Sequence, residues 1–201
     1  MKKTILLAIF ALAAAFQAGA QDRKLNFGFK VAPAIAWLNI DDNPSYEADG
    51  SVPKCNWGFF GAWNFTENIA LVSGFNVNYP GGNYVSKTSA NTGKIRLREF
   101  EIPAALQMKT GDISDFKFYV QIGLAAAYIF SAKDKDDKKR DDARHIDTSY
   151  FVAAGAEYAV TGGVSLIGQL KYNGGLTSVM STSHFANTKA NFVELGLGVL
   201  F

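Results

Sequence analysis

The feature that most constrains the fold is an alternation of apolar residues with small or polar ones, repeated eight times. In the first segment, Leu25, Phe27 and Phe29 alternate with Asn26 and Gly28. Successive side chains of a β-strand point to opposite faces, so a period of two indicates strands. The eight predicted strands cover residues 25–40, 57–65, 69–79, 94–109, 116–130, 149–160, 164–173 and 188–201.

The connections between these strands alternate in length. Short turns join the second to the third strand, the fourth to the fifth and the sixth to the seventh. Long polar segments lie between the others, near residues 41–55, 80–93, 131–147 and 174–187. Short turns at one end and long extracellular loops at the other are typical of outer membrane barrels. We therefore predict an all-β domain over residues 21–201, an eight-stranded antiparallel up-and-down transmembrane β-barrel with four long loops.

The composition of the two strand faces indicates which one meets lipid. The face without aromatic residues is mainly Gly, Ala, Asn and Gln, which suits the narrow interior of eight strands. The aromatic face carries nearly all the Trp and Phe, and Trp and Tyr cluster near strand ends as interfacial girdles do. The alternative is a soluble periplasmic lipocalin-like binding barrel, whose outer face would be rich in Lys, Glu and Thr.

The alternation of apolar residues changes phase within the fourth strand. This change predicts a β-bulge near Arg98 or Glu99.

Residues 1–20 read as a secretory signal peptide. Lys2 and Lys3 precede a twelve-residue apolar run, and Ala18-Gly19-Ala20 follows it, so cleavage before Gln21 is expected. The run is too short for a membrane-spanning helix, which needs about 20 apolar residues. We predict location in the cell outer membrane of a Gram-negative bacterium.

Strand parity places charged residues of both signs on the inner face. Because charges inside a narrow barrel are desolvated, we expect them to pair across strands and fill the lumen. A filled lumen passes no steady ion current, so a general diffusion porin is not expected. The predicted charge network of the lumen contains Lys30, Arg96, Glu99, Glu101, Lys117, Glu157, Lys171 and Glu194.

Charge balance and cysteine content exclude further classes of protein. Without Lys2 and Lys3, 18 basic residues face 18 acidic ones, so no broad basic surface for nucleic acid is expected. The single cysteine, Cys55, allows no intramolecular disulfide and no thiolate metal cluster, and a free thiol or an intermolecular disulfide remains. No cofactor is expected.

Two segments invite a functional reading. His184 precedes Ala186 where lipid A deacylases of this size carry a His-x-Ser pair, so the nucleophile is missing and we predict no enzyme. A lipid-modifying outer membrane enzyme is the alternative. Residues 133–147 hold six basic and six acidic residues without the pattern of a calcium loop. We predict a solvated, mobile loop, with lipopolysaccharide phosphates, divalent ions or an extracellular partner as its possible contacts.

The signal peptide, the eight strands, the Arg98–Pro103 segment and the terminal Phe201 resemble the PorT-type outer membrane β-barrel family. The element that carries the resemblance is Glu101-Ile102-Pro103, followed by Ala104-Ala105-Leu106. The family includes members linked to secretion and many without an assigned role, so the resemblance implies a fold and a location. The ending Leu197–Phe201 also resembles the C-terminal signal read by the barrel-insertion machinery. Phe201 is therefore the expected assembly signal, and the insertion machinery and outer membrane lipid are the expected partners.

Overall fold

A computed structural model of the protein describes residues 24–41, 43, 45–88, 92–140, 142–160, 163–182 and 187–201. The predicted signal peptide lies outside these residues. Among them, no helix has the length and apolar character needed to span a membrane. The strands are β1 (Leu25–Ile40), β2 (Tyr46–Ala48), β3 (Ser51–Asn64), β4 (Ile69–Asn78), β5 (Gly81–Ser86), β6 (Thr92–Lys109), β7 (Phe116–Lys133), β8 (Ile146–Ala159), β9 (Ser165–Gly175) and β10 (Thr188–Leu200).

Eight of these strands form a closed antiparallel barrel, which confirms the predicted fold. The order runs β6-β4-β3-β1-β10-β9-β8-β7, and β7 pairs back onto β6 to close the wall. The first and last barrel strands pair from Gly28↔Leu200 to Ile40↔Thr188. Every barrel strand therefore has a partner on both sides along its membrane-spanning part, as a strand-built membrane span requires.

The long loops of such barrels lie at the extracellular end. Strand β5 extends the wall there, because it pairs with β6 from Gly81↔Arg96 to Val85↔Thr92, and β2 pairs with β5. Gly82 lets β5 lie against β1, since a Cβ at this position would stand 2.8 Å from the backbone nitrogen of Leu38. Strand β5 therefore packs over the rim of β1 at the extracellular mouth.

The predicted register shift is confirmed, and it lies between Arg98 and Glu99. The extra residue, however, belongs to the partner strand: Arg98 pairs with Ser131 and Glu99 with Ile129, so Phe130 of β7 has no counterpart on β6. The bulge therefore changes the phase of β7, where Ile129 and Ala132 are both buried.

The inner face of β6 consequently keeps one parity along its whole length. Its odd-numbered residues from Ile95 to Gln107 are buried, and the even-numbered residues between them are more exposed. Arg96 therefore lies on the outer side of β6, and its predicted place in the lumen was wrong. The physical reason is that Ile95 and Leu97, apolar like lipid-facing residues, are buried under the extracellular loops.

Most other positions of the wall follow the predicted assignment, but four aromatic side chains lie on the inner face: Phe60, Tyr119, Phe151 and Phe192. Large apolar side chains are exposed on the outside, with Ile102 at 60% and Leu124 at 61%. The neighbouring inward positions are small or polar, such as Ala105 and Ala125. Pro103 points inward where the β4–β6 ladder is interrupted, and its carbonyl accepts a hydrogen bond from Ser73 Oγ at 2.8 Å. A missing N–H is tolerated at such a break.

An apolar cluster, here called the apolar cap, fills the extracellular end of the lumen. Its members come from four barrel strands and from the fourth long loop. They are Leu38, Ile95, Leu97, Ile129, Ala132, Val179, Met180 and Ala190. Tyr46 of β2 and Tyr84 of β5 pack against the cluster from above.

The third and fourth long loops are tied together above this cluster. Arg144 N donates to Val179 O at 2.9 Å, and Ser181 N donates to Asp142 O at 2.8 Å. The described part of the charged segment 133–147 is therefore tied to the fourth loop by backbone hydrogen bonds. Most of its residues are exposed, and its mobility stays a prediction.

Candidate functional site: the charge network of the lumen

Four buried charged residues from four strands meet in the middle of the lumen, and we call this group the central layer. Lys30 lies on β1, Glu101 on β6, Lys171 on β9 and Glu194 on β10, and each is at most 9% exposed. Lys30 Nζ lies 3.0 Å from Glu194 Oε1, and Lys171 Nζ lies 3.3 Å from Glu101 Oε1 and 3.8 Å from Glu194 Oε1. Two cations and two carboxylates therefore form one connected group.

Side-chain amides satisfy the remaining carboxylate oxygens of the central layer. Glu101 accepts hydrogen bonds from Asn76 at 2.7 Å, Asn78 at 2.8 Å and Asn173 at 3.4 Å. Asn56 donates to Glu194 Oε2 at 2.8 Å. A buried charge is tolerated only when it is both paired and hydrogen-bonded. The lysines pair the two carboxylates, and the amides supply the remaining hydrogen bonds.

Aromatic rings close the space beside the central layer. Lys171 Nζ lies 4.8 Å from the ring centroid of Phe151 and 5.4 Å from that of Phe192. Both distances suit cation–π attraction, which is stronger for a desolvated ammonium group. The rings therefore both stabilise the lysine and occupy lumen cross-section.

A further carboxylate lies on the extracellular side of this group. Glu99 is 3% exposed, and Asn78 Nδ2 donates to its Oε1 at 3.3 Å. Its other oxygen, Oε2, is buried and has no hydrogen-bond partner among the described residues. Nearby on β8, Asp147 accepts hydrogen bonds from Thr177 Oγ1 at 2.6 Å and from Thr148 N at 2.8 Å.

A second set of polar side chains, the lower layer, lies towards the short turns. Glu157 binds Lys109 Nζ at 2.8 Å and accepts a hydrogen bond from Gln107 at 3.2 Å. Gln121 donates to Gln107 at 2.8 Å, and Gln169 donates to Gln121 at 2.8 Å. This chain of amides follows the inner face of the wall from β6 through β7 to β9.

Two cavities border the lower layer. A cavity of about 40 Å³ lies between the two layers and is lined by Lys30, Gln121 and Lys171 among others. Such a volume is large enough for water but not for a ligand of metabolite size. On the other side a vestibule of about 780 Å³ opens at the short-turn end, lined by Lys109, Lys117 and Phe201 among others.

The eight residues of the predicted charge network thus fall into three groups, and the predicted assembly signal is a ninth residue. Six are at most 9% exposed inside the barrel: Lys30, Glu99, Glu101, Glu157, Lys171 and Glu194. Lys117 lines the vestibule and pairs with Asp112 at 3.2 Å, where its side chain is 40% exposed. Arg96 lies on the outer side of β6, as described above. Phe201 exchanges backbone hydrogen bonds with Phe27, at 2.7 and 3.2 Å.

Sequence reasoning missed several members of both layers. Lys109 shares the inward parity of Gln107, which is the signal that could have identified it. Asp147 could not be found this way, because the predicted strand began at residue 149. The amides Asn76 and Asn173 follow the inward parity of the predicted strands, but because they carry no charge they lie outside the predicted charge network. Asn56 precedes the predicted strand 57–65, so parity does not mark it.

The remaining chemical candidates contribute little to the lumen. Cys55 is a free, exposed thiol. His184 and Ala186 lie outside the described residues. Within the described part of the chain, no group of three or more His, Cys, Asp or Glu residues has the arrangement of a metal site.

Comparison with known proteins agrees with this architecture. The family described as "Outer membrane protein beta-barrel domain" matches residues 8–201. Neisserial surface protein A shares 16% identity, with 87% of this chain and 95% of that chain covered and a TM-score of 0.57, a likeness that shows the fold.

Two further barrels are less similar in structure. OprG of Pseudomonas aeruginosa is 12% identical over 88% of this chain and 95% of its own, with a TM-score of 0.47. Ail of Yersinia pestis is 14% identical over 88% and 98%, with a TM-score of 0.44. No curated protein matches the chain.

Proposed function

Because this chain belongs to the outer membrane protein β-barrel domain family, we propose that it is a closed, non-conducting barrel that presents its four long loops at the cell surface. Its location is the outer membrane. Its role is that of a structural or surface-interaction module, and no cofactor takes part. The single observation that carries the proposal is the central layer, a charge-paired group that joins β6 across the lumen to β9, β10 and β1.

The central layer supports a closed pore for a physical reason. An ion that crosses it must separate Lys171 from Glu101 or Lys30 from Glu194, and each of these buried charges would then lack a partner. Breaking a buried pair in this way costs about 3–5 kcal/mol. The apolar cap adds a second barrier, because dehydrating an ion among Leu38, Leu97 and Met180 is costlier still.

Single-channel recording in planar bilayers tests this proposal. We expect the purified, heat-modifiable protein to give no stable conductance steps. A variant with Lys171→Ala and Leu97→Ala together, which weakens both barriers, should give measurable steps and serves as the positive control. Steady porin-sized steps from the unmodified protein would overturn the proposal.

The partners that follow from this role are outer membrane lipid and the barrel-insertion machinery, and we assign Phe201 the part of assembly signal. Phe201 also joins the closing seam through its backbone bonds to Phe27. We expect deletion of Phe201 to reduce the amount of heat-modifiable protein in the outer membrane. Phe201→Tyr keeps the aromatic ring and the seam and is the matched control. Normal insertion of the deletion variant would remove this role from Phe201.

We also propose that the protein is not an enzyme and that it belongs to the PorT-type branch of its family. The second point is supported by Glu101-Ile102-Pro103, in which Glu101 is central to the lumen, Ile102 faces lipid and Pro103 occupies a break in the ladder. For the first point, the His184→Ala variant should leave the lipid A profile of the cells unchanged. An altered profile would instead support a lipid-modifying enzyme.

A further inference from the structure

A basic cleft, here called the wall cleft, interrupts the outer wall below the extracellular loops. Strand β3 pairs with β4 only as far as Trp57↔Val77, so its upper part, residues 51–56, has no partner on that side. The cleft that remains has a volume of about 280 Å³. Its charged lining consists of Lys54, Arg96, Arg98, Lys133 and Asp137.

Positive charge dominates this cleft. Asp137 is its one carboxylate, and it pairs with Arg96 at 3.3 Å and Lys133 at 3.6 Å. Arg98 is exposed, and Lys54 lines the same cleft as Arg96 and Arg98. Among the described residues neither Lys54 nor Arg98 forms an ion pair, so the cleft has a formal charge of +3.

The third long loop, which lies above the wall cleft, holds Arg96 in place. The guanidinium group of Arg96 donates to Asp134 O at 2.8 and 3.2 Å and to Lys135 O at 3.0 Å. Arg96 is therefore fixed by the backbone of the third loop. Like charges that line one cleft repel one another, and an anion bound among them would relieve the repulsion.

The height of the cleft relates it to the membrane surface. Arg98 lies two residues above Phe100 on the same side of β6, a separation of about 7 Å along a strand. Phe100 lies in the lipid-facing aromatic band, with ring centroids 4.4 Å from Phe130 and 5.1 Å from Phe75. The cations therefore stand at the upper rim of the lipid-facing surface, at the level where headgroups lie.

We propose that the wall cleft binds the phosphate of a glycolipid headgroup from the outer leaflet, with Arg98 and Lys54 as its ligands and Arg96 as the fixed positive wall behind them. An arginine fork fits phosphate oxygens, and basic recesses at this depth are suited to anionic headgroups. Tyr79 at the edge of the cleft offers an amphipathic surface to the sugar. The proposal deepens the lipid contact of the proposed function and depends on outer membrane location, not on a closed lumen.

Native mass spectrometry of the full protein, released from phosphatidylcholine nanodiscs, tests this site. The probes are lipid A with its phosphates and the same lipid A after enzymatic dephosphorylation. We expect saturable retention of the phosphorylated lipid and at least tenfold weaker retention of the other. Loss of retention as ionic strength rises should accompany this, because exposed charge contacts are screened by salt.

Variants assign the contact to the cleft. Arg98→Ala with Lys54→Ala should weaken lipid A retention at least tenfold, while Arg98→Lys should have a smaller effect. Lys138→Ala, which removes an exposed cation of the third loop, is the matched control and should retain the lipid normally. Heat modifiability verifies that each variant is folded.

Three results would overturn the proposal. They are equal retention of the two lipids, unchanged retention by the double variant, and full competition by millimolar inorganic phosphate, which would make the cleft a site for free phosphate. The bilayer recordings report separately on the closed lumen, so failure of one proposal is distinguishable from failure of the other.

Discussion

The central layer and the apolar cap occupy the same lumen and close it by opposite means. In the central layer Lys30, Glu101, Lys171 and Glu194 are desolvated and paired, with amides filling the remaining positions. In the apolar cap the lumen is filled by aliphatic side chains with no charge to satisfy. One closure depends on complete pairing and the other on packed volume.

This difference determines how each region responds to damage. When a side chain in a packed cluster is truncated, the free energy of unfolding falls with the volume of the cavity that remains. The loss is limited where neighbouring side chains collapse into that cavity. A paired network loses more when one member is removed, because its former partner stays buried with an uncompensated charge. The central layer should therefore be the more fragile of the two regions, although it contains fewer residues.

The largest effect is expected from Glu101→Ala. This change removes the carboxylate nearest to Lys171 and the acceptor used by three asparagines. We expect the free energy of unfolding to fall by about 3–5 kcal/mol. Urea unfolding in detergent micelles, followed by tryptophan fluorescence and by loss of heat modifiability, measures this loss.

Controls for Glu101→Ala separate charge from volume. Glu47→Ala removes an exposed carboxylate from β2 and should leave the unfolding midpoint unchanged. Replacing both Glu101 and Lys171 by Leu removes the charges together and should recover part of the loss, since an apolar pair often replaces a buried ion pair without cost. If Glu101→Ala unfolds at the wild-type midpoint, the central layer contributes nothing to stability.

A smaller effect is expected from the apolar cap, where Leu97→Ala opens space without stranding a charge. Leu97 is 1% exposed, and truncation of a buried leucine costs about 2–5 kcal/mol. We expect the lower end of this range, because the loops above can settle into the space. The single variant should still give no conductance steps, since the central layer remains intact.

Leu106→Ala is the matched control for the cap, because it lies on the same strand and faces lipid, with 44% exposure. It should cost less than Leu97→Ala under the same urea unfolding. If the two variants lose equal free energy of unfolding, burial of Leu97 under the loops does not add to the stability of the barrel. Conductance from Leu97→Ala alone would show that the cap, not the central layer, blocks ions.

The two regions also differ in how far the sequence could predict them. Membership of the central layer follows from alternation along single strands, which is a local property, and so do the strand positions. The pairing does not follow, because Glu101 and Lys171 are 70 residues apart and meet across the lumen. The angular positions of strands around a barrel, which bring them together, are not encoded in local alternation.

The apolar cap was beyond local reasoning for a different reason. Ile95 and Leu97 alternate with Arg96 just as lipid-facing residues would, so their burial depends on the loops that fold over them. Val179 and Met180 come from a segment without any strand pattern, yet they are at most 1% exposed. The bulge had the same ambiguity, because a shift of register can be accommodated by an extra residue on either partner, here Phe130 of β7.

The smallest effect is expected where the loops over the cap carry charge at the protein surface. Arg140 Nε donates to Asp142 Oδ1 at 2.9 Å, and this hydrogen bond lowers the pKa of Asp142 below its usual range. The carboxylate form therefore stabilises the loop, fully at pH values above the unfolded pKa of about 4. That contribution is lost only as the pH falls through the lowered pKa of the folded state.

Carbon-13 NMR of the aspartate carboxyl groups in micelles measures this titration directly. We expect Asp142 to titrate below the value of an unperturbed aspartate, and Arg140→Ala to return its pKa towards that value. Hydrogen exchange of Ser181 N–H, which is bonded to Asp142 O, should stay constant from pH 7 to pH 5 after correction for intrinsic rates. An Asp142 pKa at or above the ordinary value would mean that the ion pair does not hold the loop, and the packing beneath it would then be its main support.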